Sequence, residues 1–460
     1  MIFNFEHIFD GTKWSENQMI ETDEYGKIVN LSASADKKVD EDIKGYFIPG
    51  FINAHSHAFQ YSIAGLTEHA PRGKSQDNFW SWRETMYKRA LIISPLEVQD
   101  IATMLYSEML RMGITHVVEF HYLHHDPDGQ FYRRQEEMSH RIVEAANKAN
   151  IGLTLIPIYY NSGYFKSAPN PKQKRFIHKS PETYLDLVNS LTQIEGQKND
   201  LVIGHGLHSL RAAPPDQFAT ILNNEVTKGP IHIHISEQVQ EVEDCIRTYQ
   251  KRPVELLSDI CPFSERLNLV HATHINDQER KIIIQNGTNI VICPSTEANL
   301  GDGFFDLISF NSQGGHWSIG TDSHISTNMT EDLRWLEYQS RLQTKKRNIL
   351  SNPGEYTGNI LFQKALYGGL RSAGLGYKEE SLFQLGKQLN GIELDHTHPI
   401  MAGKKIEEVL SSFIFASDLS IINGTMRSGK WIVRNQEHLH QTIIRKKYRE
   451  TIESLTRKVG

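Results

Sequence analysis

The chain has 460 residues, of which 39% are hydrophobic and 23% charged, and its formal net charge is −6. This length suits one large folded domain with a smaller accessory unit, and the composition excludes a wholly disordered chain. The negative balance gives no electrostatic case for nucleic acid as a partner, but it does not exclude an anionic small molecule bound in a locally basic pocket.

Short apolar segments alternate with longer amphipathic ones, such as 95–113 and 140–150, that have helical periodicity. The predicted strands are 46–54, 114–120, 151–160, 201–207, 231–236, 267–272, 289–294 and 316–322. Eight strands with helices between them predict an α/β fold of the (β/α)₈ TIM-barrel type. A doubly wound open sheet is the alternative, but no G-x-G-x-x-G follows the first strand.

Both ends of the chain have the pattern of short strands joined by tight turns. Residues 1–46 contain hairpin-like pieces, and residues 395–436 alternate in hydrophobicity with turns at Asn-Gly and Ser-Gly. We expect these two segments to form one small β-sandwich domain beside a barrel of residues 47–394. Residues 437–460 predict a C-terminal helix.

Cysteine content and apolar segments bear on location. The three cysteines, Cys245, Cys261 and Cys293, form no C-x-x-C pair, which fits a reducing compartment. The chain begins without a basic segment ahead of an apolar core, and no window is apolar enough for a membrane helix. The sequence therefore predicts a cytoplasmic protein without a signal peptide or a membrane span.

Histidine and aspartate recur where the predicted barrel strands end. His55 and His57 are two positions apart, so both side chains point the same way from an extended strand. An H-x-H pair alone is a weak signal in a chain with 22 histidines. His234, His271 and Asp322, however, also lie at strand ends, where barrel enzymes place their chemistry. Histidine and carboxylate ligands suit zinc, iron or another borderline divalent metal, which activates water.

Glu237 follows His234 by three residues. Beside a metal site, its carboxylate would take a proton from the attacking water and deliver it to a leaving group. The alternative is a solvated glutamate in the first turn of a helix, where the helix dipole favours a negative charge. The neighbouring histidine favours the catalytic interpretation.

A series of motifs resembles the amidohydrolase superfamily and, more narrowly, the N-formimino-L-glutamate deiminases of histidine degradation. In chain order they are PGFINAHSHAFQ, FWSWRE, EFHY, HSLRA, HIHISEQ, LVHATH, STEANLGDG and GTDSH. The resemblance spans about residues 47–347. FWSWRE, HSLRA and HIHISEQ are specific for the deiminase branch, whereas H-x-H with the later histidine and aspartate is specific for the fold.

The resemblance implies one divalent ion, with Zn²⁺ expected first and Fe²⁺ as the alternative, and a role for each matching residue. The metal ligands would be His55, His57, His234 and Asp322, while Glu237, His271 and Asp322 would handle water and protons. His208 would lie near the reacting imine. The substrate, a small diacid, would be held by Gln60, Arg83, Tyr122, His208 and Arg211. Arginine binds carboxylates bidentately, and the alternative for each arginine is a surface salt bridge. The resemblance also suggests a homodimer.

Several other groups near these motifs are interpreted as structural. Glu119 would bridge a second metal in some branches, but the fourth strand, LVIGHGL, lacks the lysine that binuclear relatives carbamylate, so we expect one metal. His121, His124 and His125 are expected to be solvated loop residues. His205 and His232 are expected to pack in the core.

Two other functions stay open on the sequence. The same metal site would serve deamination of an aromatic ring, such as guanine or a triazine, if the pocket offers a stacking slot instead of paired arginines. A pseudoenzyme scaffold is the third possibility, but such scaffolds lack ligands that this chain has.

Overall fold

A computed structural model of the chain describes residues 1–32, 38–69, 78–195, 200–224 and 226–459. The strands within these ranges, in chain order, are β1 (Ile2–Phe9), β2 (Trp14–Thr22), β3 (Ile28–Ser32), β4 (Glu41–Pro49), β5 (Phe51–Ser56), β6 (Ile114–His121), β7 (Gly152–Tyr159), β8 (Leu201–Ile203), β9 (His205–Ser209), β10 (Ile231–Ile235), β11 (Leu267–His271), β12 (Asn289–Ile292), β13 (His316–Ile319), β14 (Gly391–Leu394), β15 (Ile422–Arg427), β16 (Lys430–Arg434) and β17 (Glu437–His438).

The α-helices of the same ranges mostly follow the barrel strands. In chain order they are α1 (Phe79–Ala90), α2 (Pro95–Arg111), α3 (Glu137–Ala149), α4 (Pro181–Glu195), α5 (Pro215–Leu222), α6 (Val239–Tyr249), α7 (Pro253–Ile260), α8 (Asp277–Gln285), α9 (Pro294–Leu300), α10 (Leu307–Ser312), α11 (Met329–Thr344), α12 (Thr357–Ser372), α13 (Val409–Ala416) and α14 (Gln441–Val459). Helix α2 shows why these segments fold as they do: Ser94 caps it, Pro95 occupies its first turn, and Glu97 completes a capping box. Among the described helices, none has the length and apolar character needed to cross a membrane.

Strands β5 to β13 form the predicted barrel. They pair in parallel in the order β5, β6, β7, β9, β10, β11, β12, β13, with β8 also pairing with β7. The ring is completed by a parallel bridge between Ser56 and Asp322, in which the Asp322 N–H donates to the His55 carbonyl at 3.0 Å. Closure therefore joins the end of the first barrel strand to the segment that follows the last one.

Two glycines interrupt segments that we predict as single strands. The prediction of one strand over 46–54 is wrong, because the chain leaves one sheet at Pro49 and enters the other at Phe51. A Cβ on Gly50 between them would lie 2.2 Å from the Thr115 side chain. The fourth barrel strand is likewise divided at Gly204, where a Cβ would lie 2.4 Å from Ile156 and from the Pro230 carbonyl. Both breaks follow from close packing that the strand pattern does not encode.

The chain ends form a second, eight-stranded sheet beside the barrel. Its order is β17, β16, β15, β14, β4, β1, β2, β3, and its pairing is antiparallel except between β1 and β4. It has a hydrophobic core of its own, which includes Phe3, Phe5 and Phe47. The sheet takes in Gly391–Leu394, four residues before the predicted boundary at 395. The predicted terminal helix begins at Gln441.

Candidate active site

Barrel closure brings two histidines of the first strand against the aspartate that follows the last strand. His55 Nε2 and His57 Nε2 lie 3.3 and 3.1 Å from Asp322 Oδ1. Asp322 has a φ of +48°, a conformation that is strained for a residue other than glycine. Such strain is typical of functional sites, and here it accompanies the turn that directs the carboxylate inward.

The fourth member of this cluster, His234, arrives from the end of β10. Its Nε2 lies 3.0 Å from His55 Nε2, which in turn lies 3.1 Å from His57 Nε2. The four donor atoms all lie within 4.8 Å of one another and are buried. A tetrahedral ion with bonds of about 2.0–2.1 Å separates its ligand atoms by roughly 3.3 Å. The spacing of the cluster therefore fits one divalent ion of this size.

The orientation of the imidazole rings supports the same conclusion. His57 Nδ1 lies 2.9 Å from the Phe120 carbonyl, and His234 Nδ1 lies 3.0 Å from the His208 carbonyl. Because a carbonyl only accepts, both Nδ1 atoms carry the proton and both Nε2 atoms present lone pairs. Facing lone pairs at such short range repel one another unless a cation lies between them, so the donor set has the chemistry of a metal site.

His271 and Glu237 lie beside this cluster. His271 Nε2 is 3.7 Å from Glu237 Oε1 and 3.9 Å from Asp322 Oδ2, while its Nδ1 is 3.1 Å from Glu297 Oε1. Burial lowers the pKa of His271, but the three carboxylates outweigh burial and raise the pKa to about 10. The ring therefore holds a proton between the carboxylates.

Arg211 joins Glu237 to a third buried carboxylate, Glu241. Arg211 Nη2 donates to Glu237 Oε2 at 3.0 Å, and its Nε lies 3.9 Å from Glu241 Oε1. Glu241 Oε2 accepts the backbone N–H of Glu237 at 3.1 Å. Burial opposes the charge on the guanidinium, but Glu241 and Glu237 outweigh it and raise the pKa of Arg211. This group holds one positive and two negative charges, all nearly inaccessible to solvent.

A cavity opens from the metal cluster between α1 and the ends of the barrel strands. All the residues predicted to bind substrate line it: Gln60, Arg83, Tyr122, His208 and Arg211. Gln60 Nε2 donates to the Tyr122 hydroxyl at 2.7 Å, and Gln60 Oε1 is buried and has no hydrogen-bond partner in the part of the chain that the structure describes. Burial lowers the pKa of His208 well below its usual value, so its imidazole is neutral. The cavity thus offers neutral polar groups near the metal cluster.

Arg83 differs from Arg211 in its surroundings. Its guanidinium lies 4.4 Å from the centre of the Trp80 ring and 5.5 Å from that of Tyr87. Within the described ranges, its buried Nε has no hydrogen-bond partner and no carboxylate forms an ion pair with it. Arg83 therefore carries a positive charge that is supported by aromatic faces and is open to an anion from the cavity.

Sequence reasoning missed several residues that shape the site. Tyr87, Tyr160 and Phe176 line the cavity, Glu241 holds Arg211, and Glu297 holds His271. Glu241 follows Glu237 by four residues, and that helical spacing was a usable signal. The tyrosines belong to different elements that only the fold brings together, so neither residue stood out in the sequence.

The groups interpreted as structural are buried. Glu119 accepts hydrogen bonds from Ser56 Oγ at 2.6 Å, the Ala58 N–H at 2.7 Å and the Tyr106 hydroxyl at 3.1 Å. With these donors engaged, Glu119 braces the H-x-H strand. The expected solvation of His121, His124 and His125 is wrong, because all three are buried. His121 is the last residue of β6, and the backbone N–H groups of His124 and His125 donate to the Arg175 carbonyl. The two core histidines are fully buried, namely His205 and His232.

Comparison with known proteins agrees with this geometry. Residues 46–382 match the model of the amidohydrolase family. The formimidoylglutamate deiminase of Pseudomonas aeruginosa is 40% identical over 428 residues, which cover 92% of this chain and 93% of that protein. The crystal structure of an amidohydrolase from Brucella melitensis superposes with a TM-score of 0.91 and 37% identity over 99% of both chains. An adenosine deaminase from Xanthomonas campestris with bound zinc shares the fold at 18% identity and a TM-score of 0.80, over 99% of this chain and 98% of that one.

Proposed function

The chain belongs to the amidohydrolase family, and on that premise we propose that it hydrolyses N-formimino-L-glutamate to N-formyl-L-glutamate and ammonia. Two observations support this proposal. The formimidoylglutamate deiminase of Pseudomonas aeruginosa is 40% identical over nearly the whole chain, and two arginines line the cavity beside the metal cluster. A diacid has a use for two cationic groups, whereas a purine or a triazine does not.

We propose that His55, His57, His234 and Asp322 hold one divalent ion, with zinc ahead of iron(II). Three imidazole nitrogens and a carboxylate oxygen are ligands that zinc accepts. When bound, such an ion supplies a Lewis acid that makes water more acidic. Elemental analysis of the purified protein should give one metal equivalent per chain. Two equivalents, both needed for activity, would contradict the single site.

In this mechanism Glu237 moves the protons. Water adds to the formimino carbon, so that a carbon–oxygen bond forms while the carbon–nitrogen double bond becomes single, and Glu237 carries one proton from the water to that nitrogen. Glu237 then carries the second proton, from the new hydroxyl, to the same nitrogen, and the carbon–nitrogen bond breaks as the formyl carbon–oxygen double bond forms and ammonia leaves. His271, held by Glu297, and Asp322 orient the water and assist these proton transfers. The neutral imidazole of His208 lies near the imine without adding charge.

The remaining residues of the cavity are proposed to hold the substrate. Arg83 and Arg211 face the two carboxylates, and the pair formed by Gln60 and Tyr122 contacts the segment between them. The unpartnered Gln60 Oε1 is a buried acceptor that suits the formimino N–H.

The aromatic side chains that line the cavity also suit a second function, the deamination of an aromatic ring. Phe79, Trp82 and Phe176 line the cavity, and such rings also suit deamination of a flat heterocycle. An ammonia-release assay with purified, metal-loaded protein decides between them, using N-formimino-L-glutamate beside guanine, other purines, pyrimidines and a triazine. We expect turnover of the formimino diacid alone. Turnover of a ring and not of the diacid would overturn the proposal.

We further propose that the enzyme is a homodimer that serves histidine degradation in the cytoplasm. Helix α11 exposes Trp335, Tyr338 and Leu342, which are three and four residues apart and so lie on one side of the helix. The three cysteines are unpaired and buried, as suits a reducing compartment. Light scattering after size-exclusion chromatography tests the dimer.

A further inference from the structure

Two tyrosine hydroxyls meet at the end of the cavity away from the metal cluster. Tyr87 comes from α1, and Tyr160 directly follows β7; both line the cavity and are at least 95% buried. Each of the two rings packs against Phe176, with a centroid distance of 5.9 Å. Neither residue belongs to the predicted substrate-binding set.

One amide holds both hydroxyls. Gln173 Nε2 donates to the Tyr160 oxygen at 2.8 Å and to the Tyr87 oxygen at 3.0 Å. The orientation of this amide is fixed because Gln173 Oε1 accepts the backbone N–H of Asn170 at 2.8 Å, in the cap of a short 3₁₀ turn. Gln173 is itself 1% exposed, and its Nε2 also lies 3.4 Å from the Gly163 carbonyl, a longer contact than those with the two tyrosine oxygens.

This arrangement turns the two tyrosines into donors. A phenol oxygen that accepts from Gln173 still has its own proton to donate. Each hydroxyl therefore has a proton that it can donate to a ligand. Burial raises the pKa of Tyr160 well above its usual value, so its hydroxyl keeps the proton.

The position of this pair indicates which part of a substrate it meets. The ring of His208 lies 5.0 Å from that of His234, a member of the metal cluster, and 4.7 Å from that of Tyr160. The ring of His208 thus lies between the metal cluster and Tyr160, so the tyrosines are farther from the reacting carbon than His208 is. In N-formimino-L-glutamate the side-chain carboxylate is separated from that carbon by five bonds and the α-carboxylate by three, so the side-chain carboxylate is the group that reaches this end.

We infer that Tyr87 and Tyr160, presented by Gln173 and flanked by Arg83, form the subsite that recognises the side-chain carboxylate and so set the selectivity for a diacid. This inference rests on the proposed function. The side-chain carboxylate would accept hydrogen bonds from the two neutral phenol hydroxyls and be attracted by the Arg83 cation.

The test compares two substrates that differ only at this group, N-formimino-L-glutamate and N-formimino-L-glutamine. For Tyr87→Phe and Tyr160→Phe, we expect kcat/KM for the glutamate compound to fall about tenfold, as expected for a lost hydrogen bond to a charged group. The value for the glutamine compound should change less than about threefold, because a carboxamide is uncharged. Gln173→Met keeps both hydroxyls but no longer donates to them. It should lower the ratio of kcat/KM for the glutamate compound to kcat/KM for the glutamine compound by about threefold.

A neighbouring tyrosine is the matched control. The Tyr159 hydroxyl also has a glutamine partner, since it donates to Gln217 Oε1 at 2.7 Å, but Tyr159 does not line the cavity. Tyr159→Phe should therefore leave the ratio of the two substrates unchanged, even where it lowers the melting temperature. Calorimetry with N-formyl-L-glutamate as probe gives a second readout, and Tyr160→Phe should weaken binding about tenfold.

Two results separate the inference from the proposed function. Failure of the wild-type enzyme to release ammonia from N-formimino-L-glutamate would refute the proposed function. An active wild type whose tyrosine variants keep the substrate ratio, or lose equally on both substrates, would overturn the assignment of the subsite. Weakened binding of N-formyl-L-glutamate by Tyr159→Phe to the same extent would also overturn it.

Discussion

The two arginines of the cavity have the same predicted role but opposite surroundings. Arg211, at the metal end, is tied to Glu237 and lies near Glu241, so carboxylates already compensate its charge. Arg83, at the far end, rests on Trp80 and Tyr87 and has no carboxylate partner among the described residues. The cavity therefore has an end where charges are already compensated and an end where one positive charge is left over.

This difference shows that an arginine in the cavity is not, by its residue type alone, a binding site for a substrate carboxylate. A guanidinium that already donates to buried carboxylates gains less from a further anion, because the anion must share it with them. A guanidinium supported only by rings gains the full charge-assisted interaction. Arg83 is thus suited to capture the substrate, while Arg211 also orients the group that moves the proton.

The largest expected effect tests the metal end. Glu237→Gln keeps the shape of the side chain and an acceptor for Arg211 but cannot carry a proton. We expect kcat to fall by about 10²–10⁴-fold, the usual contribution of a general acid–base group. Metal content, measured by elemental analysis, should stay at the wild-type value. Activity within about twofold of wild type would remove Glu237 from the mechanism.

The next effect compares the two arginines directly. Arg83→Met and Arg211→Met should each lower kcat/KM for N-formimino-L-glutamate by about 10–100-fold, because each removes a charge-assisted hydrogen bond. We expect the loss for Arg83→Met mainly in KM, and the loss for Arg211→Met in kcat as well, since Glu237 loses its partner.

Stability separates these variants further. Arg211→Met leaves two buried carboxylates without their cation, which costs about 3–5 kcal/mol, so its melting temperature should fall by several degrees. Arg83→Met leaves no buried charge unpaired and should melt close to wild type. Calorimetry on the metal-loaded proteins measures both. Equal melting temperatures for the two variants would remove the distinction between the two ends.

The residues at the metal end of the cavity could be predicted from the sequence, whereas the tyrosine pair at the other end could not. The metal end is predictable because barrel strands end on one face, so His55, His234 and Asp322 could be expected to meet once the strand pattern was recognised. Gly50 and Gly204 escaped prediction because their close contacts are with residues distant in sequence. The tyrosine pair escaped for the same reason, since Gln173 lies 86 residues from Tyr87.

The smallest expected effect concerns Glu241, the second carboxylate at the metal end. Glu241→Gln can still accept the Glu237 N–H, but it removes one negative charge beside Arg211. Arg211 would then be held by Glu237 alone, so Glu237 should reorient less readily and kcat should fall about two- to tenfold, as for one altered hydrogen bond. KM should fall as well, because the diacid meets less repulsion.

Glu243→Gln, an exposed position on the same helix, is the matched control and should leave both constants unchanged. An unchanged kcat with a raised KM would show that Glu241 serves substrate binding rather than the placement of Glu237. Glu241 would then not belong to the carboxylates that compensate the charge of Arg211 at the metal end.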